Sequence, residues 1–311
     1  MISYAQNAED VVLARLFADQ AVGRYVDIGA GDPVEASVTK HFYDRGWRGI
    51  NIEPIPAKAD VLRRARPEDR TLAVAVGAEP GKATLHVVEE EWGWSTLDDG
   101  LSARYRDDRG WHVQDVEVEV VTLAQVLDEH PGDVDFLKID VEGAEQAVVE
   151  GADWDRHRPR VLVVEATEPG SPEPSHGAWE PVLLAAGYRC ALFDGLNRFY
   201  AQADDTTALE RLAAPANVFD GYETLRTHTL DRALREATTA RAAASAYVQR
   251  LEDALREGRE AAAADAEHRR SLEAAIGKME AESARTYRYT AALEKRIAEL
   301  ETLLAEAHRS R

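Results

Sequence analysis

Tyr25-Val-Asp-Ile-Gly-Ala-Gly-Asp-Pro33 is the stretch whose reading decides the fold. Residues 24–28 read as a buried strand, Gly29 and Gly31 as a tight turn, and Pro33 as the opening of a helix. Glu53 ends the next expected strand about 20 residues on, where an acid reaches ribose hydroxyls in nucleotide-binding βαβ units. The third glycine of the dinucleotide fingerprint is absent, because Val34 stands in its place, and the turn carries Asp27 and Asp32. A pyrophosphate calls for bare backbone amides at a helix N-terminus. A cationic group gains from nearby carboxylates. The turn therefore favours a nucleoside-bearing cation such as S-adenosylmethionine over NAD, while also fitting an ordinary corner whose glycines only bend the chain.

Outward from this turn, strand-like and helix-like segments alternate through the first 200 residues. Helices are expected over 11–18, 35–45, 56–66 and 123–130, from Ala144 onward, and around 179–186. Strands are expected over 49–53, 71–76, 116–121, 134–140 and 160–165, with an extended piece over 83–88. The 160–165 segment is almost wholly apolar, as a strand covered on both faces should be. Segments 188–193 and 198–201 form an antiparallel pair across Asp194-Gly-Leu-Asn197. This order predicts an α/β fold with a doubly wound, Rossmann-like sheet and an antiparallel edge, binding its ligand at the carboxyl ends of the strands.

Composition narrows the function classes. The net charge is −20, and the first 220 residues hold 21 basic and 41 acidic side chains, so they carry the whole imbalance. Nucleic acids and anionic membranes bind through Lys and Arg clusters, so both are poor partners for this part. The single cysteine, Cys190, allows no disulfide within the chain and no cysteine-based zinc site. It reads as a small buried residue. No run approaches ~18 apolar residues, and Met1-Ile-Ser-Tyr-Ala-Gln-Asn-Ala-Glu-Asp10 lacks the basic and apolar regions of a signal peptide. A cytoplasmic location is expected.

Past Gly221 the chain has no proline, and its 16 basic and 16 acidic residues balance. One heptad register fits from Leu230 to Ala307, with Leu234, Val248, Leu255, Ile276, Ile297 and Leu304 at a positions and Leu230, Leu251, Leu272, Met279, Leu293 and Leu300 at d positions. That pattern predicts a C-terminal α-helical coiled coil over 221–311, following a domain over 1–220. Gly258, Ala262, Asp265 and Arg269 form a weak patch in the seam, and Ser283, Thr286 and Thr290 weaken it again. An isolated helix draws little stability from propensity alone, so the seam calls for a homodimer or a partner helix.

Asp27, Glu53, Asp140 and Glu165 end expected strands at one rim of the sheet, with Glu142 and Gly143 in the turn after Asp140. Burying unpaired charge is costly, so four rim acids point to a ligand, although Asp140 or Glu142 could also cap the helix from Ala144.

Ser3-Tyr-Ala-Gln-Asn-Ala-Glu-Asp-Val-Val12, the Tyr25 to Pro33 stretch, Gly49-Ile-Asn-Ile-Glu-Pro54, Ser95-Thr-Leu97, Phe136-Leu-Lys-Ile-Asp-Val-Glu-Gly-Ala-Glu145 and Val163-Val-Glu-Ala166 follow one another in order. Together these blocks resemble the FkbM family of S-adenosylmethionine-dependent methyltransferases, from about Ser3 to Phe219. The resemblance implies a class I methyltransferase-like fold and methyl transfer to an oxygen, on a hydroxyl of a sugar, glycan, glycolipid or polyketide-type acceptor. By that match Asp27, Gly29 and Gly31 face the methionine end of the cofactor and Glu53 takes the ribose hydroxyls. Ala75 and Val76 lie near the adenine, Gln6 and Asn7 close over the cofactor, and Asp140 sits beside the methyl donor.

A sugar hydroxyl is a weak nucleophile, so a general base helps, and the candidates are Asp140, Glu142 and His176. A metal-assisted variant, with Asp140 and Glu165 holding Mg²⁺, is the lesser alternative, and the resemblance does not require it. Lys138, placed off the Asp140 face, projects into the helix layer or pairs with an acid. Trp92 and Trp94 stack on a sugar or pack in a lid, and the loops over 89–109 and 168–176 select the acceptor. Two competing readings are an inactive methyltransferase-like scaffold working through its coiled coil and an NAD-dependent sugar enzyme. The rim acids oppose the first, and the missing third glycine opposes the second.

Overall fold

The computed structural model describes residues 1–262 and 266–309, with side chains except at 257–262, 266–271 and 309. The chain forms two compact units, Met1–Tyr222 and Glu223–Arg311.

In the first unit a two-residue strand, β1 (Ile2–Ser3), and helix α1 (Glu9–Leu16) precede the strand β2 (Arg24–Ile28). There follow α2 (Lys40–Asp44), β3 (Arg48–Ile52), α3 (Pro56–Ala65), β4 (Arg70–Leu72), β5 (Ala75–Val76), β6 (Gly81–Val88), α4 (Asp99–Arg109), β7 (Val113–Val121) and α5 (Leu123–Glu129). The unit continues through β8 (Phe136–Ile139), α6 (Glu145–Glu150), β9 (Val161–Glu165), α7 (Glu180–Ala185), β10 (Tyr188–Phe193), β11 (Asn197–Gln202) and α8 (Thr206–Leu212). Seven strands make the main sheet in the order β10-β11-β9-β8-β2-β3-β4. Strands β4, β3, β2, β8 and β9 are parallel, and β11 runs antiparallel to both β9 and β10.

The chain leaves β2 toward β3 and β4 and returns on the other side at β8. The order therefore reverses between β2 and β8, the topological switch point where open α/β sheets bind ligands. Side chains alternate along each strand. Val26, Ile28, Leu137 and Ile139 enter a core with Leu123, Val126 and Val148, while Tyr25 and Phe136 enter the opposite one with Phe17, Phe42 and Trp47. Each buried aliphatic or aromatic side chain contributes roughly 1.5–3 kcal/mol, so both faces of the central strands are firmly held.

Three expectations change. The helix expected over 35–45 is only α2, and 33–39 is irregular, with Ala36 left-handed at φ 55°. Asp32 accepts the amides of Val34 and Glu35 (2.8 and 2.9 Å), a local turn that competes with helix. The buried Arg66 guanidinium then ties the segment down, donating to the Pro33 carbonyl, Ser37 Oγ and Thr39 Oγ1 at 2.7 Å each. The strand expected over 71–76 divides: β4 joins the main sheet, and β5 starts a second sheet of order β5-β7-β6. Within the 89–109 loop lies helix α4, capped by Asp98 on the Leu101 amide (2.7 Å) and ended by Gly110 at φ 66°.

The second unit is helical. Helices α9 (Leu225–Ala262) and α10 (Ala266–Arg309) pack side by side. Arg241 lies 3.8 Å from Glu294, while Val248 and Leu251 share a cleft with Ser283 and Tyr287, so the helices run antiparallel as a coiled-coil hairpin. Seam positions Ile297 and Leu300 are buried, but Leu251, Leu255, Leu272, Ile276 and Met279 are only partly covered. Of the weak seam patch, Gly258, Ala262, Asp265 and Arg269 fall outside the described side chains. No described helix is long and apolar enough to cross a membrane.

Candidate active site

The carboxyl ends of β2, β3 and β8 open on a cavity of about 380 Å³, within the range of small-molecule sites. The turns after these strands build its floor. Gly29 has φ 76°, and a Cβ there would collide with the Asp140 carbonyl oxygen, so the turns after β2 and β8 touch only because that position is glycine. Gly31 has φ 58°, and a Cβ on it would stand 2.9 Å from the Trp92 ring. The amides of Gly29 and Ala30 both donate to the Ile52 carbonyl at 3.0 Å, fastening the turn to β3.

Glu53 is buried, and its carboxylate accepts the amides of Gly31 (3.0 Å) and Ile55 (2.8 Å). Burial outweighs these bonds and raises its pKa. Ile55, Val74, Ala75, Val76 and Leu85 belong to the apolar part of the lining that Glu53 shares, and Gln6 also lines the cavity.

Lys138 lies between the strand ends. It faces Asp27 in register across β2 and β8, and it stands two positions before Asp140 with only Ile139 between, so alternation puts all three on one side. The expectation that Lys138 stands off the Asp140 face is thereby corrected; its pairing with acids is observed. Its Nζ donates to the Gly29 carbonyl (2.7 Å) and lies 3.3 Å from Asp140 Oδ2 and 3.4 Å from Asp27 Oδ1. Burial alone would lower its pKa, but Asp140 and Asp27 prevail and raise it, so the ammonium stays charged. Asp27 is 1% exposed and lies beneath the cavity floor, not on its wall. Thr39 Oγ1 donates to Asp27 (2.7 Å) and accepts from Arg66 (2.7 Å), which extends the buried polar chain to Pro33 and Ser37. Arg66 is the residue sequence reasoning missed, since nothing at the end of an amphipathic helix marks an arginine as buried.

Glu142 adopts the left-handed region at φ 52°, and its carbonyl accepts from Thr96 Oγ1 at 2.7 Å. That bond ties the Ser95-Thr-Leu97 block to the turn after β8. Neither Asp140 nor Glu142 caps α6, whose N-cap position, Ala144, has no side-chain cap; Glu145 instead reaches back to accept the amides of Val141 (3.1 Å) and Gly143 (3.2 Å) in the preceding turn. Burial first, then the carboxylates of Asp140 and Glu145, push Glu142 up to about 9. Burial and the acids Asp140, Glu142 and Glu145 push Glu165 to about 11. Glu142 and Asp140 line the cavity, whereas Glu165, at the end of β9, does not.

The remaining candidates separate. Gln6, Gly29, Gly31, Glu53, Ala75, Val76, Asp140 and Glu142 come together at the cavity. Asn7 does not line it; its side chain donates to the Asp194 carbonyl (3.3 Å) and its amide to Glu9 (2.8 Å). His176 is also off the cavity, 3.8 Å from Glu180, whose carboxylate is held by Arg198 (2.7 Å) and Tyr200 (2.8 Å). Trp92 reaches the cavity with Lys58 Nζ 3.6 Å from its ring centre. Trp94 also lines it, in edge contact with Tyr105 and Trp111. The 89–109 and 168–176 loops meet here: a Cβ on Gly170 would strike the Trp94 ring, and Arg104 lies 3.8 Å from Glu168.

Comparison with curated proteins finds no match. Among solved structures, a TehB-like SAM-dependent methyltransferase from Corynebacterium glutamicum is similar at 12% identity, over 61% of this chain and 87% of that one, with a TM-score of 0.34, too low to bear on the site. The methyltransferase FkbM domain matches residues 27–190, which run from the first acid of the glycine turn through the rim acids to the antiparallel edge. With more than half of its length in that match, the chain belongs to the FkbM family of S-adenosylmethionine-dependent methyltransferases.

Proposed function

We propose that this chain methylates a hydroxyl oxygen of a sugar, glycan, glycolipid or polyketide-type acceptor. The observation that carries the reading is the ring of acids at the switch point: Asp32, Glu35, Glu53, Glu91, Asp140 and Glu142 line one cavity. Such a ring attracts a sulfonium and repels a pyrophosphate. The residues fit S-adenosylmethionine: Glu53 for the ribose hydroxyls, the wall of Ile55, Val74 and Val76 for the adenine, and Asp140 with the glycine turn for the methionine end. When bound, the cofactor supplies an electrophilic methyl group: the acceptor oxygen forms the new C–O bond as the C–S bond breaks, and the bonding pair returns to sulfur as a thioether.

The chain's own residues position and deprotonate. Asp140, whose side chain is 30% exposed beside the Lys138 ammonium, takes the acceptor proton. Lys138, itself anchored on the Gly29 carbonyl, holds that carboxylate against the turn, so the base costs little to orient. Trp92 and Trp94 cover the cavity and lower its access to water. His176 takes no part in this step. The hairpin tail, with a seam that α9 and α10 only half cover, joins a second copy or a partner helix.

The test is transfer of a tritium-labelled methyl group to a panel of glycan, glycolipid and polyketide acceptors, with the modified atom located by NMR. A new methoxy signal supports the reading. Methyl on nitrogen or carbon overturns the oxygen assignment while leaving the family intact.

A further inference from the structure

We propose that Asp140, Glu142 and Glu165 form a site for a divalent cation of the Mg²⁺ or Mn²⁺ kind at the edge of the cavity. One carboxylate oxygen from each lies within 4.8 Å of the others. Ligand oxygens around such an ion stand about 2.0–2.1 Å from it, hence about 3–4 Å from one another, so small side-chain rotations close the site. The donor set is oxygen alone, which selects a hard cation over zinc or copper.

Glu165 supplies an independent observation. The residue is 8% exposed, and among the described residues its buried Oε2 has no hydrogen-bond partner. A buried carboxylate without a donor is costly, and proteins keep one beside a counter-charge. Several neighbouring donors are engaged elsewhere, and the buried Tyr105 hydroxyl, near Glu142 and Glu165, bonds neither. Lys138 bonds the Gly29 carbonyl and sits between Asp27 and Asp140, the Val141 and Gly143 amides go to Glu145, and Arg198 goes to Glu180.

Glu142 contributes through its backbone as well. A non-glycine residue held at φ 52° is strained, and the Thr96 bond to its carbonyl maintains that conformation. One oxygen per residue suffices for the ion, which leaves the second Asp140 oxygen to take a proton. Water or two neighbouring hydroxyls of an acceptor would fill the open positions. That last use rests on the proposed methyl transfer, whereas binding of the cation does not.

The experiment is calorimetric titration of the chelator-treated full chain with MnCl2 and with MgCl2, followed for Mn²⁺ by electron paramagnetic resonance. One saturable site per chain is expected, weakened at least tenfold in Glu165→Gln and in Glu142→Gln and unchanged in Asp60→Asn, an exposed acid paired with Arg63. Absence of a saturable site in the wild type, or wild-type affinity in both glutamine variants, overturns the proposal. Titration of the same samples with S-adenosylhomocysteine separates the two readings: cofactor-product binding without metal binding sinks the cation site alone. Metal binding without product binding sinks the methyltransferase reading alone. If Glu165→Gln does not fold, Glu142→Gln, on the cavity wall, decides.

Discussion

Replacing Lys138 by methionine removes an ammonium that serves three oxygens at once: the Gly29 carbonyl at 2.7 Å, Asp140 at 3.3 Å and Asp27 at 3.4 Å. At an effective dielectric of 20, each ion pair is worth about 5 kcal/mol before desolvation. The cost of burying the lysine offsets much of that sum. What remains after truncation is a carboxylate at Asp27, 1% exposed and left with only the Thr39 hydroxyl. Breaking a buried pair in this way costs roughly 3–5 kcal/mol, so Lys138→Met should destabilise its unit by about 4 kcal/mol. Asp27→Asn in the same background removes the stranded charge, and the double variant should recover at least ~1.5 kcal/mol relative to the sum of the single changes. Urea unfolding followed by tryptophan fluorescence reads this directly, because all six tryptophans lie within Met1–Tyr222. A loss below ~1 kcal/mol, or additivity within about 0.5 kcal/mol, would refute the central role given to Lys138.

Gly29→Ala puts a Cβ against the Asp140 carbonyl at a position with φ 76°, so it should abolish S-adenosylhomocysteine binding and lower the unfolding midpoint; unchanged binding would contradict the touching turns. Burial pushes Glu9 up to about 7 and Asp10 to about 6, from 4.5 and 3.8. Folded values above the unfolded ones mean stability present in acid and lost as pH rises through that window, by up to about 3 kcal/mol per group. Urea midpoints should therefore fall as pH rises from about 4 to about 7, and Glu9→Gln should flatten the slope. For the tail, sedimentation equilibrium should show an associated full chain and a monomeric variant truncated after Tyr222 with unchanged tryptophan unfolding. A monomeric full chain would remove the self-association proposal and leave a heterologous helix.

Much of the fold was legible because its strands carry two-residue periodicity or continuous apolar runs bounded by turns. β2, β3, β9 and the β10–β11 pair follow directly from such patterns. The division of 71–76 between two sheets was not legible: nothing local says that Leu72 and Ala75 pair with different neighbours, a matter of tertiary pairing. Helix α2 fell short of its expected length because a residue distant in sequence, Arg66, supplies hydrogen bonds that helical geometry at Ser37 and Thr39 would forgo. Within the site, Glu53, Asp140 and the glycines were readable from strand ends. The burial of Asp27 was not, since strand position names the sheet edge but not the groups distant in sequence, Thr39 and Lys138, that close on its carboxylate. Lys138 was misplaced by one step of the alternation, and with it went the link between Asp27 and Asp140.

Calorimetric titration of the full chain with S-adenosylhomocysteine, wild type beside Glu53→Ala, is the most direct measurement of all. One molecule should bind per chain, and Glu53→Ala should weaken it by about ten- to a hundredfold, equivalent to one or two hydrogen bonds to a charged carboxylate. No binding by the wild type, or binding of NAD in its place, would contradict a methyl-donor site at the glycine turn.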